Sequence, residues 1–570
     1  MLTGAKRWRV ADAVPDDHLA RFPNLPPVIV QILSNRGLTT PEDVAAFLER
    51  RPELHDPFLM RDMDSAVTRL RQAIRAQEPI AVYGDFDADG VTATALLVLT
   101  LRALGGTVTP YIPHRVDEGY GLNKDALSEL AADGIRLIVT VDCGVRSLEE
   151  VAHARQLGMD VIITDHHTVG THLPDATAVL DPRRADCTYP YPHLAGVGLA
   201  FKLAQALLRV NGQVPTQKNV NLTEQDILDL VALGTVADLA PLTGENRTLV
   251  QMGLEHINAA PRAGVAALVH NAGSRNGVDE MTISYALAPR LNAAGRMGHA
   301  KTAYQLLTTE YPGEADQLAQ RLGEMNRERQ QLTVDVEERA HHIAQMEDHT
   351  CPLLFIADPA FPAGIVGLVA SRLVEEFYRP TIIVELGEEE SRGSARSIPP
   401  FHITEAIGTC EELLVRYGGH RAAAGFTVRT EHLPELKSRL QALATQTLHD
   451  QDLVPVLEAD VEVPLDQMSW KLWKAMEALR PFGEGNPEPL FVSRNVSIRH
   501  HRAVGANGAH LKLYLFDGQS VWDGIAFRQG EWLDRLPEQV DIAYYLQRNE
   551  WNGESKLQLN IQDIQPSREY

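Results

Sequence analysis

The chain has 570 residues, 44% of them hydrophobic and 23% charged, which suits several folded domains and excludes a disordered or fibrous polypeptide. With 53 Lys and Arg against 76 Asp and Glu the formal charge is −23, so nucleic acid cannot be bound through a broad basic surface, only through local basic patches. No apolar stretch is long enough to span a membrane, the first residues lack a signal-peptide core, and Cys143, Cys187, Cys351 and Cys410 show no Cys-x-x-Cys spacing; a cytoplasmic chain without disulfides or structural zinc is expected.

Residues 1–63 read as short helices, with Thr40-Pro41 capping one of them, and are expected to pack against the domain that follows. Ile80 to Tyr83 form an apolar run with the look of a buried strand. It ends in Gly84 and releases Asp85, Asp87 and Asp89 at alternate positions before Gly90 and an apolar helix reaching Gly105-Gly106. Acids that spill from a strand into a tight turn lie at the carboxyl end of a sheet, where open α/β folds place their ligands. Three close carboxylates repel one another unless a divalent cation holds them ionised. The competing reading is a solvated, Asx-rich turn; an EF-hand is excluded because the loop runs straight into an apolar helix.

Further along, Tyr111 to Arg115 ends a strand, so that Arg115 leaves it on the same edge, either as a phosphate contact or as a surface arginine. Glu118 to Leu122 forms a glycine loop. Ile135 to Val141 is another strand, ending at Asp142-Cys143-Gly144, and Asp160 to Thr164 a third, ending at Asp165-His166-His167. Val179 to Arg184 ends one more, with Asp181 read as turn chemistry. Val231 to Asp238 is again an apolar run broken by an acid and is expected as a fourth converging end. A lone Asp at a strand end usually caps a helix, whereas four converging ends point to a metal site. Carboxylates with an imidazole suit Mn²⁺, Mg²⁺ or Zn²⁺, and the oxygen-rich balance favours Mn²⁺ or Mg²⁺.

Pro289 to Gly298 carries Arg290 and Arg296 in what reads as a small-residue loop, where the arginines either pair with acids or meet a phosphate. Residues 314–346 are polar, charged and helical in period, as expected of a long helix joining two lobes. A second α/β unit follows: a strand from Leu353, a glycine-rich helix start at Gly364, and the segments Arg392–Ser397 and Gly418–His420. Taken alone, Gly418-Gly419 would be a turn and His420 a surface residue. From about Val454 short alternating strands predict a small barrel of the OB type, with a basic cluster at Arg499, His500, His501 and Arg502. Tyr544, Tyr545 and Trp551 are either stacking faces for bases or core residues.

In this order, GDFDADG, VDCGV, TDHH and LGTVADLAP resemble the motifs of the DHH phosphoesterase superfamily. The later stretches 288–298, 418–425 and 481–489 resemble one branch of it, the bacterial RecJ exonucleases. The resemblance implies an α/β fold: a parallel-sheet DHH domain (64–313) and a DHHA1-type domain (347–450) joined by a helix (314–346), then an OB-fold barrel (454–570). It also implies 5′→3′ hydrolysis of single-stranded DNA to 5′-mononucleotides with two divalent metals, Mn²⁺ or Mg²⁺, in DNA repair and recombination. Asp85 and Asp87 would hold one metal, Asp89, His166 and Asp238 the other, and Asp142 would bridge them. His167 would meet the scissile phosphate or its leaving group while Asp165 orients its neighbours. Arg115, Arg290, Arg296, Ser371 and Arg396 are phosphate-clamp candidates, and Gly418, Gly419 and His420 would grip the nucleic-acid backbone. Many superfamily members carry His where Asp85 stands, which singles out this ligand. A single-strand-binding protein and a helicase are the expected partners. The alternatives are an oligoribonuclease or cyclic-dinucleotide phosphodiesterase and a pyrophosphatase, none of which needs the barrel, and a replisome scaffold, which would have lost ligands that are all present here.

Overall fold

The computed structural model describes residues 6–50, 52–215, 220–259, 261–274, 276–346, 351–551 and 554–567. Strand β1 (Arg7–Val10) and helix α1 (Pro27–Asn35) belong to the far end of the chain, not to the domain that follows them. Val28, Ile29, Ile32 and Leu33 are buried in one core with Leu465, Leu472, Phe491, Leu513 and Ile542, and β1 pairs in parallel with Val456–Ala459. The expected short helices are present, Thr40 capping the one at Pro41–Leu48, but they rest on the barrel core and not on the next domain, and Arg7–Val10 is a strand. Only the stretch around Phe58 to Met63 joins the core of that domain. The apolar face of α1 was legible, but its partner lies more than 400 residues away.

The first α/β domain is built on five strands: β2 (Ile80–Gly84), β3 (Val108–Tyr111), β4 (Leu137–Val141), β5 (Asp160–Thr164) and β6 (Ala178–Leu180). All run parallel in the order β3-β2-β4-β5-β6, so every carboxyl end lies on one edge. Strands β2, β4 and β6, and β5 from Val161 on, are buried on both faces, as continuous apolar runs require, whereas edge strand β3 is partly exposed. Helices α2 (Ala88–Ala103), α3 (Gly196–Gln213) and α4 (Leu228–Ala237) pack together in the same core. The run before Asp238 is therefore a helix and not a strand. Leu228 to Val236 are all buried, and a helix apolar on every side has no period to distinguish it from a strand. Likewise Ala288–Met297 is a helix, α5, where a loop was expected.

Helix α6 (Pro312–Met346) spans about 52 Å at 1.5 Å per residue. Ala315, Ala319 and Leu322 bury into the first core, and Val336, Ala340 and Ala344 into the second. The second domain contains β7 (Leu354–Asp358), α7 (Ala363–Phe377), β8 (Thr381–Glu385), β9 (Glu390–Arg396), β10 (Leu414–His420) and β11 (Ala423–Arg429), with strand order β10-β11-β9-β8-β7. Gly418 and Gly419 are strand residues here, not a turn.

After β12 (Val456–Ala459) and β13 (Val461–Glu462) come β14 (Phe491–Val504), β15 (His510–Phe516), β16 (Val521–Ala526), β17 (Gln539–Trp551) and β18 (Glu554–Pro566). These five close into a barrel because β14 pairs with both β15 and β17. Tyr544 is fully buried against Phe491 with its hydroxyl on Ser493, so it offers no stacking face. Tyr545 is half-buried, and the side chain of Trp551 lies outside the described residues. On the outer face Arg499 covers the Phe516 ring at 4.0 Å and His500 stacks on Tyr514. Among the described residues no helix is long and apolar enough to cross a membrane.

Candidate active site

The edge formed by the ends of β2, β4 and β5 brings seven predicted residues together. Asp87 caps α2 by accepting from the Gly90 N–H at 3.0 Å. Asp89, in the first turn of α2, accepts from the Gly196 and Val197 N–H groups at 2.7 and 2.9 Å, which fixes it against the start of α3. This approach needs glycine on both sides: a Cβ on Gly234 would stand 2.8 Å from Asp89 Oδ1, and one on Gly196 would stand 2.6 Å from Asp142 Cβ. Asp142 itself sits at φ 62°, an αL conformation that Asp tolerates and that turns its carboxylate toward the centre of the site. Asp238 is the C-cap of α4.

Ligand atoms fall into three overlapping groups, each within 4.8 Å: Asp85, Asp87 and Asp142; Asp89, His166 and Asp238; and Asp142, His166 and His167. His166 Nε2 lies 3.0 Å from Asp142 Oδ1, yet neither atom makes a hydrogen bond, and buried Asp85 Oδ1 is equally unpartnered. Buried polar atoms are rarely left so. Three orphaned lone pairs at the meeting point of five carboxylates are the donor set that a hard divalent cation satisfies.

The electrostatics agree. Burial, then Asp87, pushes Asp85 well above the ordinary carboxylate range and Asp89 up to about 7. Burial and the neighbouring acids raise Asp142 and Asp238 as well. Burial and His167 push His166 down to about 3, leaving it a neutral donor. Burial opposes protonation of His167 too, but its Nδ1 lies 2.7 Å from Asp165 Oδ1, and that contact with the surrounding carboxylates brings its net pKa up. Asp165 accepts in addition from the N–H groups of Val145, His166 and His167, which locks the Asp-His-His turn.

Beside this cluster, between the two α/β domains, opens a cleft of about 770 Å³. Arg115, Tyr120, His167, Gly364, Ser394 and His420 are among its walls. The His420 ring lies parallel to that of His167 at 6.3 Å. Arg115 covers Phe86 at 4.5 Å, and Arg296 donates to the Gly364 carbonyl at 3.0 Å. Burial and then the Arg115 charge lower the pKa of both Arg296 and Arg396, so three guanidiniums share one region. In a chain with such an excess of acid, none of these three has a described carboxylate within salt-bridge distance. Gly418 and Gly419 line the cleft with His420.

Two predicted residues fall elsewhere. Arg290 is held by Asn271 and the Ala286 carbonyl, neither of which belongs to the cluster or the cleft. Ser371 gives its hydroxyl to the Gly367 carbonyl inside α7 and does not line the cleft; Ser394, beside Gly367, does. A sequence shows that an arginine or serine is near a motif, not which way its helix face turns. Tyr120 was missed. Its hydroxyl donates to the Asp142 carbonyl at 3.1 Å and lies 3.1 Å from His167 Nδ1. An aromatic residue between two glycines was the available signal. Asn292, which accepts from the Ala88 N–H at 2.8 Å, gave none.

Known proteins share this arrangement. The profile of the DHH family, N-terminal domain, matches residues 79–235, that of the DHHA1 domain residues 352–446, and that of the RecJ OB domain residues 459–563. The single-stranded-DNA-specific exonuclease RecJ of Bacillus subtilis (strain 168) is 38% identical over 99% of this chain and 71% of its own length. That of Salmonella typhimurium is 36% identical over 96% and 98%. The crystal structure of RecJ in complex with Mn²⁺ from Thermus thermophilus superimposes with a TM-score of 0.85 at 32% identity, covering 99% of this chain and 80% of that one; its Mg²⁺ complex gives 0.80. In its three domains, in its full-length relatives and in its fold, the chain belongs to the RecJ family of the DHH superfamily.

Proposed function

We propose that this protein is a metal-dependent exonuclease that degrades single-stranded DNA from its 5′ end to 5′-mononucleotides, in DNA repair and recombination. One observation carries the reading: the buried, unpartnered lone pairs of Asp85, Asp142 and His166 lie beside His167, which lines a cleft whose wall arginines, Arg115 among them, have no described carboxylate within salt-bridge distance. Such a site takes a phosphodiester together with divalent cations, and the relatives named above are single-stranded-DNA-specific exonucleases.

Asp85 and Asp87 would hold one Mn²⁺ or Mg²⁺ ion, Asp89, His166 and Asp238 a second, with Asp142 between them. When bound, the pair supplies an activated water nucleophile and neutralises charge on the phosphate. The chain's own groups do the rest. Asp165 fixes His167 so that its second ring nitrogen is the free donor, and its raised pKa keeps that proton available to the scissile phosphate or leaving oxygen. Tyr120 braces both His167 and the Asp142 backbone. Arg115, Arg296 and Arg396 would receive the 5′-terminal phosphate, which the strand presents beyond the scissile bond. His420 with Gly418 and Gly419 would close on the backbone of the same nucleotide. The barrel would contribute its outer face, where Arg499 and His500 stack on Phe516 and Tyr514, a cationic and aromatic surface of the kind single strands prefer.

We keep 64–313 as the catalytic unit, 314–346 as the connecting helix and 347–450 as the backbone-binding unit, and add β1 and α1 to the barrel at 454–570. A single-strand-binding protein and a helicase, which deliver such strands, are the proposed partners, in the cytoplasm. The test is release of label from oligonucleotides marked at either end, single-stranded or annealed, with Mn²⁺ or Mg²⁺. Early release from the 5′ end, faster with a 5′-phosphate and slight on blunt duplex, is expected. Early release from the 3′ end or equal rates on duplex would refute the reading.

A further inference from the structure

The sheet order β3-β2-β4-β5-β6 places the loops at its carboxyl edge in a fixed row. Arg115 follows β3 at one end of the row. The candidate metal ligands follow β2, β4 and β5 in the middle. At the other end, after β6, stands Arg183.

The turn after β6 is built without the Arg183 side chain. Buried Asp181 accepts from the Arg183 backbone N–H at 2.7 Å, and Arg184 is anchored by Asp62 at 2.6 Å and Asp186 at 2.8 Å. Arg183 is exposed, and no described carboxylate lies within salt-bridge distance of it. Among the described residues its guanidinium meets only the Pro192 carbonyl, at 3.5 Å, the long limit of a hydrogen bond. Arg183 stands three residues past Leu180, the end of β6, on the same sheet edge that carries the candidate metal ligands. Four steps between strands of about 4.8 Å separate the ends of β3 and β6 by about 19 Å, too far for Arg115 and Arg183 to share one phosphate.

We propose that Arg183 binds a second phosphate of the DNA, on the 3′ side of the scissile bond, so that the strand is held by one arginine site at each end of the row with the metal ligands between. The inference rests on Arg115, Arg296 and Arg396 taking the 5′-terminal phosphate. It makes Arg183 a contact to the retained strand that a dinucleotide, whose only internal phosphate is the scissile one, cannot make.

The experiment uses the full chain with Mn²⁺ and compares wild type, Arg183→Ala and Arg183→Lys on a long 5′-phosphorylated strand and on a 5′-phosphorylated dinucleotide. Affinity for a cleavage-resistant phosphorothioate strand is measured against salt. For Arg183→Ala, KM on the long strand is expected to rise about tenfold, the loss of one charge-assisted phosphate contact. Its kcat there, and both constants on the dinucleotide, should stay within about twofold of wild type. The slope of log Kd against log salt should flatten by about 0.7, and Arg183→Lys should restore it. Preference for a 5′-phosphate should persist in Arg183→Ala and be lost in Arg115→Ala. An unchanged salt slope, or an equal loss on both substrates, would overturn the proposal. Loss of 5′-phosphate preference in Arg183→Ala would also overturn it, by moving Arg183 to the other end of the strand. Wild type that shows no 5′-phosphate preference would instead refute the parent reading of the Arg115 cluster.

Discussion

Gly196→Ala tests the proposed central role of Asp142 without touching a ligand. The added Cβ would stand 2.6 Å from Asp142 Cβ and 2.9 Å from its Cγ and Oδ1, whereas carbon atoms in contact settle near 3.5 Å. One partner must therefore retreat by about 1 Å, and α3 cannot move freely because the Gly196 N–H is bonded to Asp89. Asp142 is itself tied by its N–H to the Thr164 carbonyl at 3.0 Å and by its carbonyl to Tyr120, so its carboxylate rotates out of place. A displacement of this size at a reacting centre costs about 10²-fold in rate. Stability should change little, because alanine is the better helix former and that gain offsets part of the strain. The assay is mononucleotide release from a 5′-phosphorylated single strand, with thermal unfolding followed in parallel. Activity within about threefold of wild type, in a variant that melts normally, would refute the assignment of Asp142 to the centre of the site.

Burial and the neighbouring acids hold Asp89 up to about 7 and raise Asp85, Asp142 and Asp238 as well, so protons compete with a metal for this site. Mn²⁺ must displace those protons, so its affinity should rise with pH up to about 7 and level off above, with proton release detectable by calorimetry in buffers of different ionisation enthalpy; no release at pH 6 would contradict this. Burial holds Asp181 up to about 7, from an ordinary 3.8. The folded chain thus binds this proton more tightly than the unfolded chain, and its contribution to stability is lost as pH rises through that window. Asp181→Asn should therefore melt higher than wild type at pH 8, with the gap narrowing at pH 5. Leu33→Ala, at a fully buried position shared by α1 and the barrel, should cost about 2–5 kcal/mol and lower the melting of the barrel while leaving the DHH domain transition in place.

Much of the site was legible because each of its strands is an apolar run that ends abruptly in an acid: Ile80 to Asp85, Ile135 to Asp142, Asp160 to Asp165. A carboxylate after such a run has one placement, at the sheet edge. Legibility failed where neighbours come from distant parts of the chain. Leu228 to Val236 is buried on all sides, so its helix could not be told from a strand, although Asp238 stands at the end of the run in either case. Pro289 to Gly298 looked like a loop because it starts with Pro and carries Ala293-Ala294-Gly295 and Gly298, yet the small residues let α5 approach the turn at Phe86: a Cβ on Gly295 would stand 2.8 Å from the Phe86 carbonyl. Arg183 and Arg184 are adjacent in sequence, and only Asp62 and Asp186 decide which of them is free.

The union of β1 and α1 with the barrel also sets a timetable for synthesis. Trp8 donates to Asp563 and Lys6 to the Gln562 carbonyl, so these residues wait for partners made some 550 residues after them. Some 530 residues separate Asn35 from Ile564, which at 5–20 residues per second is about 25–110 s. Through that interval Val28, Ile29, Ile32 and Leu33 have no core to enter, while the two α/β domains between can already fold. The nascent chain thus carries a sticky apolar helix ahead of a finished catalytic unit, the kind of segment that chaperones shield. A fragment cut at Val454 would keep that helix uncovered permanently. To be well behaved, an isolated catalytic core must lose both of its flanks, not one.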